Sequence, residues 1–142
     1  MSLAELIIGM SLVILLIGIV VPKADSGYMK AEWERRKLCS ELRLLKRKNI
    51  SGIGEYMRIA KVNNRSCYRT FFDLKLIKEE YIEEDIKVSS NIKKIMFKAN
   101  GIPIDSGTIE IKYKEKNYAI TITPISGRIL FKEGIYSNDK EQ

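Results

Sequence analysis

The stretch MSLAELIIGMSLVILLIGIVVP, residues 1–22, decides how this chain is built. It carries no charge from Leu6 to Val21, and as a helix it is long enough to cross the roughly 30 Å hydrocarbon core of a bilayer. One carboxylate, Glu5, lies within it. A charge in a membrane helix costs on the order of 2.5–3.5 kcal/mol, so such a residue usually has a function. A signal peptide would show a basic region and a small-residue cleavage site, and a plain signal anchor would not contain Glu5.

The chain after Pro22 is long enough for one small domain with its own core. The formal charge is +7 and histidine is absent, which removes the commonest general base and metal ligand. The sequence also lacks a Ser-His-Asp or Cys-His set, a GxxxxGK[ST] phosphate loop and an HExxH motif. We therefore predict that the protein is not an enzyme and has no cofactor and no metal site.

Residues 23–50 are predicted to continue as an amphipathic helix, with Ser26-Gly27 as an interruption. An apolar stripe within an arc of about 60° should pack on the C-terminal domain. The stripe consists of Ala31, Leu38, Leu42 and Leu45. Three apolar residues fall on the far side of the helix: Met29, Trp33 and Leu44. They are either surface residues covered by loops or contacts with another subunit.

Residues 51–134 are predicted to form an antiparallel β domain, after a turn over residues 49–54 that contains two glycines. The predicted strands are 56–62, 66–72, 74–77, 92–98, 108–113, 117–123 and 128–131. Glu79 to Asp85 is predicted to be a solvated loop or short helix, and residues 135–142 a tail. Because the helix precedes the strands without βα alternation, the predicted class is α+β. A long N-terminal helix, its first half membrane-spanning, packs on an antiparallel sheet.

The residues Met1-Ser2-Leu3-Ala4-Glu5-Leu6, the uncharged run and Pro22 resemble the mature N-terminus of type IV pilins and type II secretion pseudopilins. The C-terminal half is similar to the GspH/FimT-type minor pseudopilins, whose relatives serve competence machines. The segments that carry this second resemblance are 97–103, 106–109, 120–124 and 126–129. Their glycines suit turns, and their alternating apolar residues build a sheet face.

The resemblance implies how the subunit is made. Prepilin peptidase would remove a short basic leader ending in Gly, and Met1 would become the N-methylated first residue. Glu5 would pair with the N-terminal amine of Met1 in a neighbouring subunit, and Pro22 can kink the helix. Residues 23–48 contain nine Lys or Arg against four Asp or Glu, which alone would hold that side in the cytoplasm. A leader richer in Lys and Arg would reverse this preference.

The resemblance also implies a location and partners. The subunit would lie in the cytoplasmic membrane as a single-pass protein with its C-terminal domain outside, and then enter a cell-surface filament. Its partners would be other pilin or pseudopilin subunits, an inner-membrane platform protein and an assembly ATPase. The predicted function is a minor structural subunit of a type II secretion or type IV pilus-type filament.

The alternative function is a DNA-binding minor pilin of a competence DNA-uptake machine. Ten basic residues are candidates to contact phosphate. They are Arg35, Arg36, Lys37, Arg43, Lys46, Arg47, Lys48, Arg58, Arg65 and Arg69. A solvated helix face, or a surface attracted to anionic lipid, is the more ordinary explanation of the same residues.

The chain has two cysteines, Cys39 on a predicted helix and Cys67 on a predicted strand. They either form a disulfide in an oxidising exterior or remain two buried thiols. Their spacing resembles no zinc motif.

Overall fold

The computed structural model describes residues 2–20 and 26–133. Two helices come first: α1 spans Leu3–Val20 and α2 spans Ser26–Ile50. Seven strands follow: β1 Glu55–Val62, β2 Arg65–Phe72, β3 Lys75–Tyr81, β4 Ile86–Ser90, β5 Gly107–Tyr113, β6 Lys116–Ile122 and β7 Ile129–Glu133. The predicted α+β class, a helix packed on antiparallel strands, is confirmed. The predicted tail at 135–142 lies outside the described residues.

Helix α2 is held against the strands by the apolar stripe that its sequence predicts. Ala31, Leu38, Leu42 and Leu45 are each at most 2% exposed. Met29, Trp33 and Leu44 are all exposed on the far side of the helix, so loops among the described residues do not cover them, and a contact with another subunit stays a prediction. The helix ends where Gly52 adopts a φ of 89°. There the N–H groups of Gly52 and Ile53 donate to the carbonyls of Asn49 and Lys48, which satisfies the last turn of the helix.

The predicted interruption at Ser26-Gly27 is wrong, because α2 begins at Ser26 and continues through Gly27. A Cβ at residue 27 would overlap the hydroxyl of Tyr113. The glycine therefore permits close packing of the helix on the sheet and does not break the helix.

The strands form two antiparallel sheets, where the sequence predicted a single sheet. The first sheet has the order β1-β2-β3 and the second the order β4-β5-β6-β7. The two meet where the Val88 N–H donates to Ser66 Oγ at 3.0 Å and the Ser66 hydroxyl donates back to the Val88 carbonyl at 3.4 Å. The two sheets are thus linked here through a side chain, and no main-chain ladder among the described residues joins them into one sheet.

Two local predictions fail in the middle of the chain. Strand β3 extends through Tyr81, so Glu79 to Tyr81 are sheet residues rather than a loop, because their backbone pairs with β2. Residues 92–98 do not form a strand and make only isolated bridges, Met57 with Ile95 and Phe97 with Pro103. Ile92, Ile95 and Phe97 are buried at spacings that do not alternate, so this segment contributes side chains to the core without a ladder.

The core lies between α2 and the inner faces of both sheets. From β5 it takes Ile109, Ile111 and Tyr113, which are every second residue of that strand. From β6 it takes Tyr118, Ile120 and Ile122 in the same way. This alternation confirms the strand assignment that the sequence predicts for the C-terminal half.

Candidate functional site

The predicted assembly residue Glu5 lies in the first turn of α1 and pairs with Ser2. The Ser2 main-chain N–H donates to Glu5 Oε2 at 2.9 Å, and the Glu5 N–H donates to Ser2 Oγ at 3.3 Å. This reciprocal pair is a capping box, which satisfies two donors that the first turn of a helix leaves free. The spacing Ser-x-x-Glu was visible in the sequence as a capping signal, and the sequence reasoning missed it.

The other two assembly residues, Met1 and Pro22, lie outside the described residues. The large apolar side chains of α1 from Leu3 to Leu15 are 49–80% exposed. Such a continuous apolar surface indicates a contact with lipid or with other proteins. Within residues 2–20 and 26–133, no helix is both long and apolar enough to cross a membrane. The membrane span of residues 1–22 stays a prediction.

The ten basic candidates do not form one surface, because six of them make ion pairs, hydrogen bonds or ring contacts with other residues of the domain. Arg35 binds Glu32 and lies over the ring of Phe131, with its guanidinium carbon 3.5 Å from the ring centroid. Lys46 donates to the carbonyls of Ser126 and Gly127 at 3.2 and 3.0 Å. The other four also have partners: Lys37 with Glu80, Lys48 with Glu55, Arg65 with the carbonyl of Ile82, and Arg69 with Glu79.

Four basic candidates remain exposed, and they lie on two elements. Arg36, Arg43 and Arg47 fall within about 40° of one another on the outer face of α2. Arg36 also contacts Glu32 at 3.0 Å. Trp33, which is 66% exposed, lies beside them on the same face. Arg58 is on β1, with its guanidinium carbon 5.4 Å from the centroid of Tyr56. The α2 set is the one basic cluster that the fold brings together from the predicted residues.

A polar seam joins α2 to β3. Glu41 accepts a hydrogen bond from Lys78 at 2.7 Å, and Glu80 forms an ion pair with Lys37. The Lys37 hydrogen bond lowers the pKa of Glu80 below its ordinary value. Glu34, only 9% exposed, has the opposite behaviour, because burial raises the pKa of its carboxyl. The seam thus contains carboxyl groups whose pKa values are shifted in opposite directions.

Both cysteines are buried free thiols, one of the two states that the sequence left open. Burial raises the pKa of each thiol above its ordinary value, so both favour the protonated form. Cys39 belongs to the core beneath α2. Cys67 lies on β2 opposite Ala60.

No protein-family model matches this chain. No curated protein matches it either. Two solved structures are similar to it. The minor pseudopilin EpsH from the type 2 secretion system of Vibrio cholerae has a TM-score of 0.57 at 14% identity, over 73% of this chain and 97% of that one. The type IV minor pilin FimU of Pseudomonas aeruginosa has a TM-score of 0.51 at 14% identity, over 74% of this chain and 91% of that one. The chain therefore has the pilin-like fold found in a minor pseudopilin and in a type IV minor pilin.

Proposed function

We propose that this protein is a minor structural subunit of a pilin-like filament, of the type II secretion or type IV pilus kind. The observation that supports this most directly is the combination of a pilin-like domain with an apolar helix α1 whose described side chains have no cover. Residues 1–22 anchor the subunit in the cytoplasmic membrane, and the domain projects outside. During assembly, α1 leaves the lipid and packs against other subunits in a surface filament.

Glu5 sets the register of that assembly. In the separate subunit its carboxylate caps its own helix through Ser2. In the filament it pairs with the N-terminal amine of Met1 of a neighbouring subunit, so each charge offsets the burial of the other. Buried ion pairs gain little stability over apolar packing, so the pair contributes mainly specificity. The processing steps follow from the same proposal: a peptidase frees Met1, which is then N-methylated, and an ATPase with a platform protein drives assembly.

The capping box makes a sharp experiment possible, because the carboxylate has two separable roles. Glu5→Leu removes both the cap and the charge. Glu5→Gln keeps an oxygen that can accept from the Ser2 N–H but removes the charge. Ser2→Ala removes the side-chain cap and keeps the carboxylate, at a usual cost of about 0.5–2 kcal/mol to the helix. Each variant is produced in cells beside the natural protein, and the ratio of filament-bound to membrane-bound subunit is measured.

Pairing between subunits predicts a several-fold lower ratio for Glu5→Leu and Glu5→Gln, and a nearly normal ratio for Ser2→Ala. The amount of subunit in the membrane should be normal for all three variants, because none of them adds a charge to α1 and Glu5→Leu makes the helix more apolar. An unchanged ratio for Glu5→Leu would reject the pairing. Equal losses for Ser2→Ala and Glu5→Gln would assign the effect to helix capping instead.

A second candidate function is DNA capture, supported by the exposed arginines on the outer face of α2. Arg36, Arg43 and Arg47 share that face, where their guanidinium groups can meet backbone phosphates. Replacing all three arginines by alanine separates the two candidates. If this face binds phosphate, the triple variant should lose most of its affinity for duplex DNA, and the remaining affinity should depend less on salt concentration. If the protein is only a filament subunit, the natural chain should not bind duplex DNA in the first place.

A further inference from the structure

One free edge of the first sheet is a strand that pairs on one side only. In the order β1-β2-β3, the outer side of β1 is bridged at Met57, which exchanges hydrogen bonds with the N–H and carbonyl of Ile95 at 2.8 and 2.9 Å. Within the part of the chain that the structure describes, β3 pairs with β2 alone. Its seven residues, Lys75–Tyr81, therefore present an open edge.

The hydrogen-bond register shows which groups this edge offers. The Ile82 N–H donates to the Ser66 carbonyl at 2.9 Å, directly after β3. In an antiparallel ladder, inward and outward peptide groups alternate along the strand. The main-chain groups of Glu80 and Lys78 therefore point to β2, and those of Tyr81 and Glu79 point away from the sheet. They can accept a further strand in the same geometry.

A groove lies between the C-terminal half of α2 and the inner face of the first sheet, and Ile77 and Lys78 of β3 form part of its lining. It has a volume of about 230 Å³ and contains the side chains of Leu44, Leu45, Met57 and Ile77 among its lining. The register between β2 and β3 shifts at Thr70/Phe71, so Ile77 is the extra residue of a bulge. Ile77 is 53% exposed and Leu44 39%. The groove thus has apolar walls that nothing among the described residues covers fully.

The charges around the groove are already paired. Lys78 contacts Glu41 at 2.7 Å, and Lys48 contacts Glu55 at 2.9 Å. A side chain that enters the groove therefore meets apolar walls and neutralised ion pairs, so an uncharged and bulky side chain fits best. A charged one would have to be desolvated without a free partner.

We propose that β3 and this groove bind an extended segment of another protein, which adds as a fourth strand to the first sheet. Its main chain bonds to the outward groups of Glu79 and Tyr81, and one bulky apolar side chain enters the groove. Main-chain bonds supply affinity and the groove supplies specificity, as in other cases of strand addition. The inference goes beyond filament assembly, because it does not depend on α1 or Glu5.

A second copy of the chain is a poorer occupant of the edge. Antiparallel pairing of two β3 strands about their centre would place Lys78 opposite Lys78, and like charges opposite each other are destabilising. The apolar side chain of Ile77 already lines its own groove, so it is not free to fill that of its partner.

The test uses the full chain in detergent micelles and a phage-displayed library of random nine-residue peptides. Selected peptides are titrated against the natural chain, Ile77→Lys and Leu74→Lys. Ile77→Lys places a charge in the groove wall. Leu74→Lys is the matched control, since Leu74 is 84% exposed in the turn before β3 and does not line the groove.

Strand addition predicts enrichment of peptides with one Phe, Leu or Trp among β-forming residues. Their affinity should fall at least tenfold for Ile77→Lys and stay within twofold for Leu74→Lys. Hydrogen exchange of the natural chain should slow at the Glu79 and Tyr81 amides when peptide is bound. The proposal is overturned if no peptide is enriched, if Ile77→Lys binds equally well, or if those amides stay unprotected. Protection that rises with the concentration of the chain alone would assign the edge to a second copy and also overturn it.

Discussion

At the scale of single residues, Gly27 shows how one missing side chain determines packing. Its position in the first turn of α2 would normally favour a residue with better helix propensity. The hydroxyl of Tyr113, a residue only 6% exposed, occupies the space where a Cβ would lie. The glycine thus lowers the helix propensity of this turn but allows α2 to approach β5 closely. Gly127 is a second such position, because it has a φ of 58° and its missing Cβ would overlap the carbonyl of Gly101.

We expect Gly27→Ala to lower the free energy of unfolding by about 1–3 kcal/mol, the usual cost of overpacking. Helix propensity alone predicts the opposite sign, a gain of roughly 0.5–1 kcal/mol. Chemical denaturation of the full chain in detergent distinguishes the two. Gly54→Ala is the control, because a Cβ there meets only Met96 at an ordinary 3.7 Å. A Gly27→Ala protein as stable as the natural one would mean that Tyr113 moves aside without cost.

At the scale of elements, the strands β5 and β6 follow the alternation of their sequence closely. Ile111 and Ile120 are at most 1% exposed, while Lys112 between two inward residues is exposed. The first sheet is less regular, because β3 contains a bulge and its hairpin turn places Leu74 at a φ of 64°. The bulge residue Ile77 lines the groove under α2, whereas Leu74 in the turn lies outside it.

Ile111→Asp should unfold the C-terminal sheet, because the charge would enter the apolar core without a partner. We expect a loss of several kcal/mol and therefore no cooperative thermal transition by circular dichroism. Lys112→Asp, one residue away on the exposed face, should melt near the natural temperature. If the two variants melted alike, the assignment of the strand faces would be wrong.

At the scale of the whole molecule, the polar seam between α2 and the first sheet makes stability depend on pH in two directions. The pKa of Glu80 is lowered, mainly by the hydrogen bond from Lys37, so its contribution is lost as pH falls through that pKa. The pKa of Glu34 is raised, mainly by burial, although Lys37 acts in the other direction. The stability associated with protonated Glu34 is therefore present below the ordinary value of 4.5 and lost as pH rises through the raised pKa.

We predict that Glu34→Gln gains stability relative to the natural protein as pH increases from about 4 to 7, because a neutral amide cannot ionise in the buried site. Denaturation midpoints of both proteins across this range provide the measurement. Glu84→Gln, at an exposed position, is the control and should follow the natural protein. A constant difference between Glu34→Gln and the natural protein over the whole range would contradict the assignment to Glu34.

Several features of the fold could be predicted because they depend on local patterns. The buried stripe of α2 follows from helical periodicity, and the inward residues of β5 and β6 follow from strict alternation. The hairpin turn at Asn63-Asn64 follows from residues that tolerate positive φ, at 50° and 63° here. The extension of β3 through Glu79 to Tyr81 could not be predicted, because three consecutive charged or polar side chains are typical of a loop. In the fold, Lys37 of α2 pairs with Glu80, a contact that the local sequence does not show.

Local sequence patterns were sufficient to predict that an apolar helix with one carboxylate and an amphipathic helix precede an antiparallel β domain, and which faces of α2, β5 and β6 are buried. Each of these depends on residues at most a few turns apart. Which basic residues stay exposed, and which sheet edges stay open, depends instead on the packing of segments that are far apart in the chain. Arg35, Lys46 and Arg65 are as basic in sequence as Arg43, but their partners Phe131, Gly127 and Ile82 come from distant segments. Whether a basic side chain is available to bind a partner therefore depends on long-range packing, which the periodicity and composition of the sequence do not reveal.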